Sequence, residues 1–118
     1  MTVITGRYLV AVTACVSGVA HTYMAAERLE KLCQQEKWNV HIETQGALGV
    51  ESALTEDDIR RADVVLLITD IELAGSERFE DTRYVKCGIN AFLRDPQRVM
   101  VAVRKMLSAP QHTQVILD

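Results

Sequence analysis

The chain has 118 residues, 48% hydrophobic and 25% charged, with a net charge of −3. That length supports one core and one domain, 1–118, and the charge excludes the basic surface that a nucleic-acid partner requires. No apolar stretch approaches the roughly 20 residues needed to span a bilayer.

The N-terminus, "MTVITGRY", lacks the basic-then-apolar layout of a secretion signal, which points to a cytoplasmic chain. Residues 8–14, "YLVAVTA", form a short apolar run with β-branched members, the pattern of a strand buried on both faces of a parallel sheet. From Thr22 to Glu36 the apolar residues Ala25, Leu29, Leu32 and Cys33 fall at helical spacing. "VHIET", 40–44, alternates, with Val40 and Ile42 on one face and His41 and Glu43 on the other, as in a strand nearer the edge. "TEDDIRRAD" reads as a helix with Thr55 as N-cap, acids in its first turn and Arg60 and Arg61 in its last. The acidic run "ESALTEDD" reads as solvated helix surface. "VVLLIT", 64–69, is a second buried strand, and "RYVKC", 83–87, a weaker fourth. Asp95 and Pro96 then open a helix whose stripe is Val99, Met100, Val103, Met106 and Leu107, ending near Ser108. The tail "QHTQVILD" fits either a frayed end or a segment docked through Val115 to Leu117.

Alternating strands and helices define an α/β fold. Right-handed crossovers and the apolarity of the first and third strands give an open four-stranded parallel sheet, order 2-1-3-4, with helices on both faces. Ligands of such sheets bind at the carboxyl ends of the strands where the order reverses. Cys15 and Asp70 lie there.

The segment "CVSGVAHTY" joins the first strand to the first helix, and its residues have the chemistry of a phosphate loop. Gly18 is free of steric restriction, so successive N–H groups of Val16, Ser17, Gly18, Val19 and Ala20 can aim at one point. The helix beginning near His21 adds the positive end of its dipole. Ser17 and Thr22 supply hydroxyl donors. That field also favours a thiolate, which makes Cys15 both a nucleophile and a leaving group. Against this stands the ordinary use of cysteine as a small buried hydrophobe, the reading that suits Cys33 and Cys87. Three widely spaced cysteines fit neither a disulfide framework nor a zinc site, and His41 and His112 have no companions at ligand spacing. No metal or cofactor is expected. Asp70 and Glu72, in "TDIEL", suit capping or loop geometry better than acid catalysis beside a phosphate. The Cys-x5-His spacing resembles the Cys-x5-Arg loop of small tyrosine phosphatases, but His21 cannot reproduce the arginine fork that clamps phosphate for hydrolysis.

"TACVSGVAHTYMAAERLE", "VHIETQGALGVE", "LTEDDIRRADVVLLITDIEL" and "RF" at 78–79 together resemble the fructose-type enzyme IIB component of the bacterial sugar phosphotransferase system, over residues 8–107. The resemblance implies that Cys15 carries a transient phosphoryl group, with Gly18, Ala20, His21 and Thr22 at phosphate-loop positions. It also implies a IIA partner that donates from phosphohistidine, and a membrane-embedded IIC permease that holds the sugar and docks the chain at the inner membrane. The family commonly has Pro-Thr after the cysteine; here Val16-Ser17 keeps a hydroxyl and lacks the proline. A low-molecular-weight phosphatase and a regulatory module without a transfer role are the alternatives.

Overall fold

In a computed structural model, described over residues 7–14, 19–46, 49–71, 73–110 and 113–117, one twisted sheet is covered on both faces by helices. The strands are β1 (Tyr8–Ala14), β2 (Asn39–Gly46), β3 (Gly49–Glu51), β4 (Val64–Thr69), β5 (Tyr84–Cys87) and β6 (Gln114–Ile116). Their order is β3-β2-β1-β4-β5-β6. The helices are α1 (Val19–Glu36), α2 (Glu56–Arg61), α3 (Ile89–Arg94) and α4 (Pro96–Met106), with a 3-10 turn at Ser76–Phe79.

The four strands expected from sequence are present as β2-β1-β4-β5, parallel and in the expected order. The sheet nonetheless has six strands rather than four, and it is not wholly parallel, because β3 pairs with β2 in the antiparallel sense. Two physical reasons account for the difference. β3 has three residues, all exposed, so it carries no apolar pattern; Gly49, at φ +94°, takes a left-handed conformation at its start. β6 is equally short, and only Val115 of its residues turns towards the core. The tail is therefore docked, with Leu117 N–H donating to the Lys86 carbonyl at 2.8 Å. α1 starts at Val19, before the first periodic apolar residue. α3 is a further helix that the apolar pattern did not announce.

Two cores flank the sheet. Leu9, Ala11, Leu66, Ile68 and Val85 pack against α1, α3 and α4 on one face. Val10, Val12, Ala14, Val65 and Leu67 pack against Leu54, Leu73 and Phe79 on the other, where α2 lies. The helix punctuation matches the sequence. Thr55 and Asp58 form a reciprocal capping box on α2, and the Asp95 carboxylate accepts from the Arg98 N–H beside Pro96.

Glu43, on the strand face opposite Val40 and Ile42, is a buried charged residue. It is only 1% exposed. Its carboxylate accepts from Arg78 Nη1 and Nη2 at 2.9 and 3.0 Å, from the Leu54 N–H at 2.8 Å and from Gln45 Nε2 at 2.6 Å. Arg78 also donates through Nε to the Gly75 carbonyl at 2.7 Å. The two-pronged guanidinium contact is the geometry that makes such a pair strong. Burial pushes the Glu43 carboxyl up, but hydrogen bonds from Arg78, Leu54 and Gln45, with the Arg78 charge, outweigh it and hold it below the usual range.

Removing the guanidinium would strand a buried carboxylate. Arg78→Met is expected to lower the unfolding free energy by about 3 kcal/mol, read by urea denaturation; a loss below about 1 kcal/mol would contradict the pair's role. The acid response has a definite sign. Because the folded carboxyl is the stronger acid, the unfolded chain takes up the proton first as pH falls. The contribution of Glu43 is thus full above about pH 4.5 and lost as pH drops further, through the folded value. Glu43→Gln should show a shallower acid decline than the parent chain.

Candidate functional site

The carboxyl end of β1 delivers the site. Ala14, its last residue, is in register with Gln45 of β2 on one side and Thr69 of β4 on the other. Cys15 comes next in the chain, and α1 begins four residues later, at Val19. This is the place where the strand order reverses, with β2 to one side and β4 to the other, as expected from sequence. Cys15, Val16, Ser17 and Gly18 lie outside the described residues, as do Glu72 and His112.

Of the remaining loop candidates, Val19, Ala20, His21 and Thr22 form the first turn of α1. His21 is exposed and Thr22 is buried. The Thr22 hydroxyl lies close to Gly46, where an added Cβ would come within 4.0 Å of it. The start of α1 is therefore packed on the end of β2, with no acidic residue in its first turn to neutralise the dipole. Thr13, fully buried one residue before the end of β1, has a hydroxyl without a hydrogen-bond partner among the described residues.

The neighbouring strand ends contribute polar groups. Asp70 N–H donates to the Ala14 carbonyl at 3.4 Å, and its carboxylate accepts from the Ile89 N–H at 3.1 Å, at the start of α3. Its role is local geometry, as the sequence suggested. Gly88 leaves room for it, because a Cβ there would sit 3.0 Å from the carboxylate oxygen, a contact that the Asp70 side chain would have to yield to. The Thr69 hydroxyl accepts from the Ile71 N–H at 3.0 Å, closing the turn after β4.

Gln45 is the residue that the sequence reading passed over. Its side-chain amide accepts from the Ala74 N–H through Oε1 and donates to the Ala74 carbonyl through Nε2, both at 3.0 Å. The signal was available: Gln45 lies in "ETQG", a polar run on a strand beside a wholly apolar one, where burial demands partners. Tyr23 on α1 donates to Glu51 on β3, which also accepts from Thr44 at 3.4 Å.

The other thiols are packing residues, as expected. Cys33 and Cys87 are buried, and burial pushes each up to about 12. Glu36 and Glu30 add to the effect at Cys33; at Cys87, Arg98 opposes it and Asp70 adds to it. Neither supplies a thiolate near neutral pH. His41 bonds the Ser52 carbonyl at 2.9 Å and faces Asp58 at 3.5 Å. No group of three or more candidate metal ligands occurs among the described residues, and no helix among them is long and apolar enough to cross a membrane.

Known proteins share this arrangement. The family described as the lactose/cellobiose-specific IIB subunit of the phosphotransferase system matches residues 10–102. Fructose-like EIIB component 3 of the phosphotransferase system of Escherichia coli K12 is 78% identical over 111 residues, which cover 94% of this chain and 98% of that protein. Fructose-like EIIB component 2 of the same strain is 42% identical over 100 residues, covering 85% and 94%. A crystal structure of a predicted fructose-specific IIB from Escherichia coli has a TM-score of 0.92 at 78% identity, covering 95% of this chain and 99% of that one. A domain of a fructose-specific IIABC component from Borrelia burgdorferi has a TM-score of 0.79 at 36% identity, covering 90% and 98%. The family match thus runs from β1 into α4, and the chain belongs to the IIB family of the sugar phosphotransferase system, among its fructose-like members.

Proposed function

We propose that this chain is a phosphocarrier that accepts a phosphoryl group on Cys15 from a phosphohistidine of a IIA protein. It passes the group to a fructose-like sugar held by a membrane IIC component, on the cytoplasmic side. The observation that carries the reading is the position of Cys15, immediately after the central strand and four residues before the start of α1, whose first turn holds no acidic residue. The names of the relatives supply the sugar class.

The chemistry follows from the groups at hand. The Cys15 thiolate attacks phosphorus; the S–P bond forms as the P–N bond breaks, and the departing imidazole keeps the electron pair and takes up a proton. In the second step a sugar hydroxyl attacks phosphorus, its proton passes to solvent or a nearby base, and the thiolate leaves. Both steps are in-line transfers that demand positioning and charge stabilisation more than covalent help. Main-chain N–H groups of residues 16–20 and the hydroxyls of Ser17 and Thr22 would hold the equatorial oxygens, with the α1 dipole behind them. His21 lacks an arginine's fork, so the hold is weak enough for release rather than hydrolysis.

Two measurements test this. In the native protein an aromatic disulfide reagent is expected to titrate one thiol, Cys15, and three after denaturation; rapid reaction of Cys33 or Cys87 would contradict the assignment. After incubation with a phosphorylated IIA donor, intact mass is expected to rise by one phosphoryl group in the parent chain and not in Cys15→Ala. An equal gain in that variant would remove Cys15 from the mechanism.

A further inference from the structure

The segment that leaves β4 does not stay beside it. Ala74 and Arg78 are bonded to Gln45 and Glu43 of β2, and β1 lies between β2 and β4. Residues 73–79 must therefore cross β1, and Leu73 and Phe79 pack in one cluster with Val10, Val12 and Ala14 on the α2 face. The chain thus forms a strap over the end of the strand that leads into Cys15. Near that end the side chain of Gln45 holds the strap, and Arg78 Nη2, within the strap, also donates to the Ala74 carbonyl at 3.1 Å. Gln45, 8% exposed and in register with Ala14, engages both polar groups of the Ala74 peptide and also donates to Glu43 at 2.6 Å.

We propose that Gln45 is a positioning residue for phosphoryl transfer: by clasping the Ala74 peptide it holds residues 73–79 across the end of β1 and so fixes the geometry in which Cys15 reacts. The proposal rests on the role given to Cys15 above. An amide suits the task because it donates and accepts in one plane, which a carboxylate or an ammonium group cannot do. Any swing of the strap breaks both Ala74 bonds at once. Displacement of a reacting group by about 1 Å costs on the order of a hundredfold in rate, so a support beside Ala14, the residue that precedes Cys15 in the chain, matters to the chemistry.

Gln45→Met keeps the length of the side chain and removes both bonds. Three readouts decide: hydrogen exchange at the Ala74 amide, the pH profile of Cys15 alkylation by iodoacetamide followed by mass, and transfer kinetics with a IIA donor. The variant should exchange Ala74 at least tenfold faster. Its alkylation midpoint should move upward, towards the ordinary thiol value of about 8.5. Its kcat should fall at least tenfold with the KM for donor within twofold. A merely structural Gln45 would lower stability and leave the alkylation profile in place; that result, or an unaltered Ala74 exchange rate, overturns the proposal. Should Gln45→Met fail to fold, Gln45→Asn keeps the amide on a side chain one methylene shorter, which cannot reach both Ala74 groups as Gln45 does, and must show the same shift in smaller measure. If the parent chain accepts no phosphoryl group, the carrier role fails while the alkylation profile still decides the role of Gln45.

Discussion

One buried carboxylate organises half of this molecule. Glu43 lies on a strand interior, out of reach of water, and such a charge persists only where donors surround it. Four do, from three residues that each serve a different requirement of the fold. Arg78 contributes two of them and brings the 3-10 turn over the sheet. The Leu54 N–H brings the chain to Thr55, where α2 is capped. Gln45 joins the carboxylate to the strap that crosses β1. Without the charge at Glu43, the Arg78 anchor that helps draw residues 73–79 back over β1 from β4 would be lost, leaving the Gln45–Ala74 bonds and the apolar contacts of Leu73 and Phe79.

The consequence for function is a division of labour between the two faces. On one face, α1 brings its amino terminus to the end of β1 and packs Thr22 against Gly46. On the other, the strap closes against the same strand end. Asp70, the acidic group placed by sequence at the switch point, directs a carboxylate oxygen to the α3 N–H rather than standing as an uncommitted charge. The thiol inventory is divided as sharply, since Cys33 and Cys87 are held protonated by burial. In the proposed carrier role these two thiols stay silent, and the reacting anion is assigned to Cys15.

How much of this was legible in the sequence depended on pattern length. β1 and β4 are almost continuously apolar and flanked by helical periodicity, so their place at the centre followed from composition. The caps at Thr55 and Asp95 were legible because each places its chemistry within three residues of the backbone it satisfies. β3 and β6 were not, because three-residue edge strands leave no period to read. The burial of Glu43 was not legible for another reason: its partner Arg78 lies 35 residues away, and alternation alone cannot tell a solvated glutamate from a paired one. The family motif did join "ETQG" and "RF" as one signature, without saying that they touch. The phosphate loop rests on chemical pattern and on kinship, and both lead to the same thiol.

The account's central claim concerns main-chain amides as much as sulfur. Backbone amide resonances of 15N-labelled protein, compared before and after phosphorylation by a IIA donor, test it most directly. The account predicts large downfield shifts for the N–H groups of residues 16–20, small ones at Glu43 and Arg78, and a Cys15 Cβ shift consistent with an S-phosphoryl ester. Phosphorylation that leaves those amides unmoved, with the largest shifts centred on His21, His41 or His112, would contradict it.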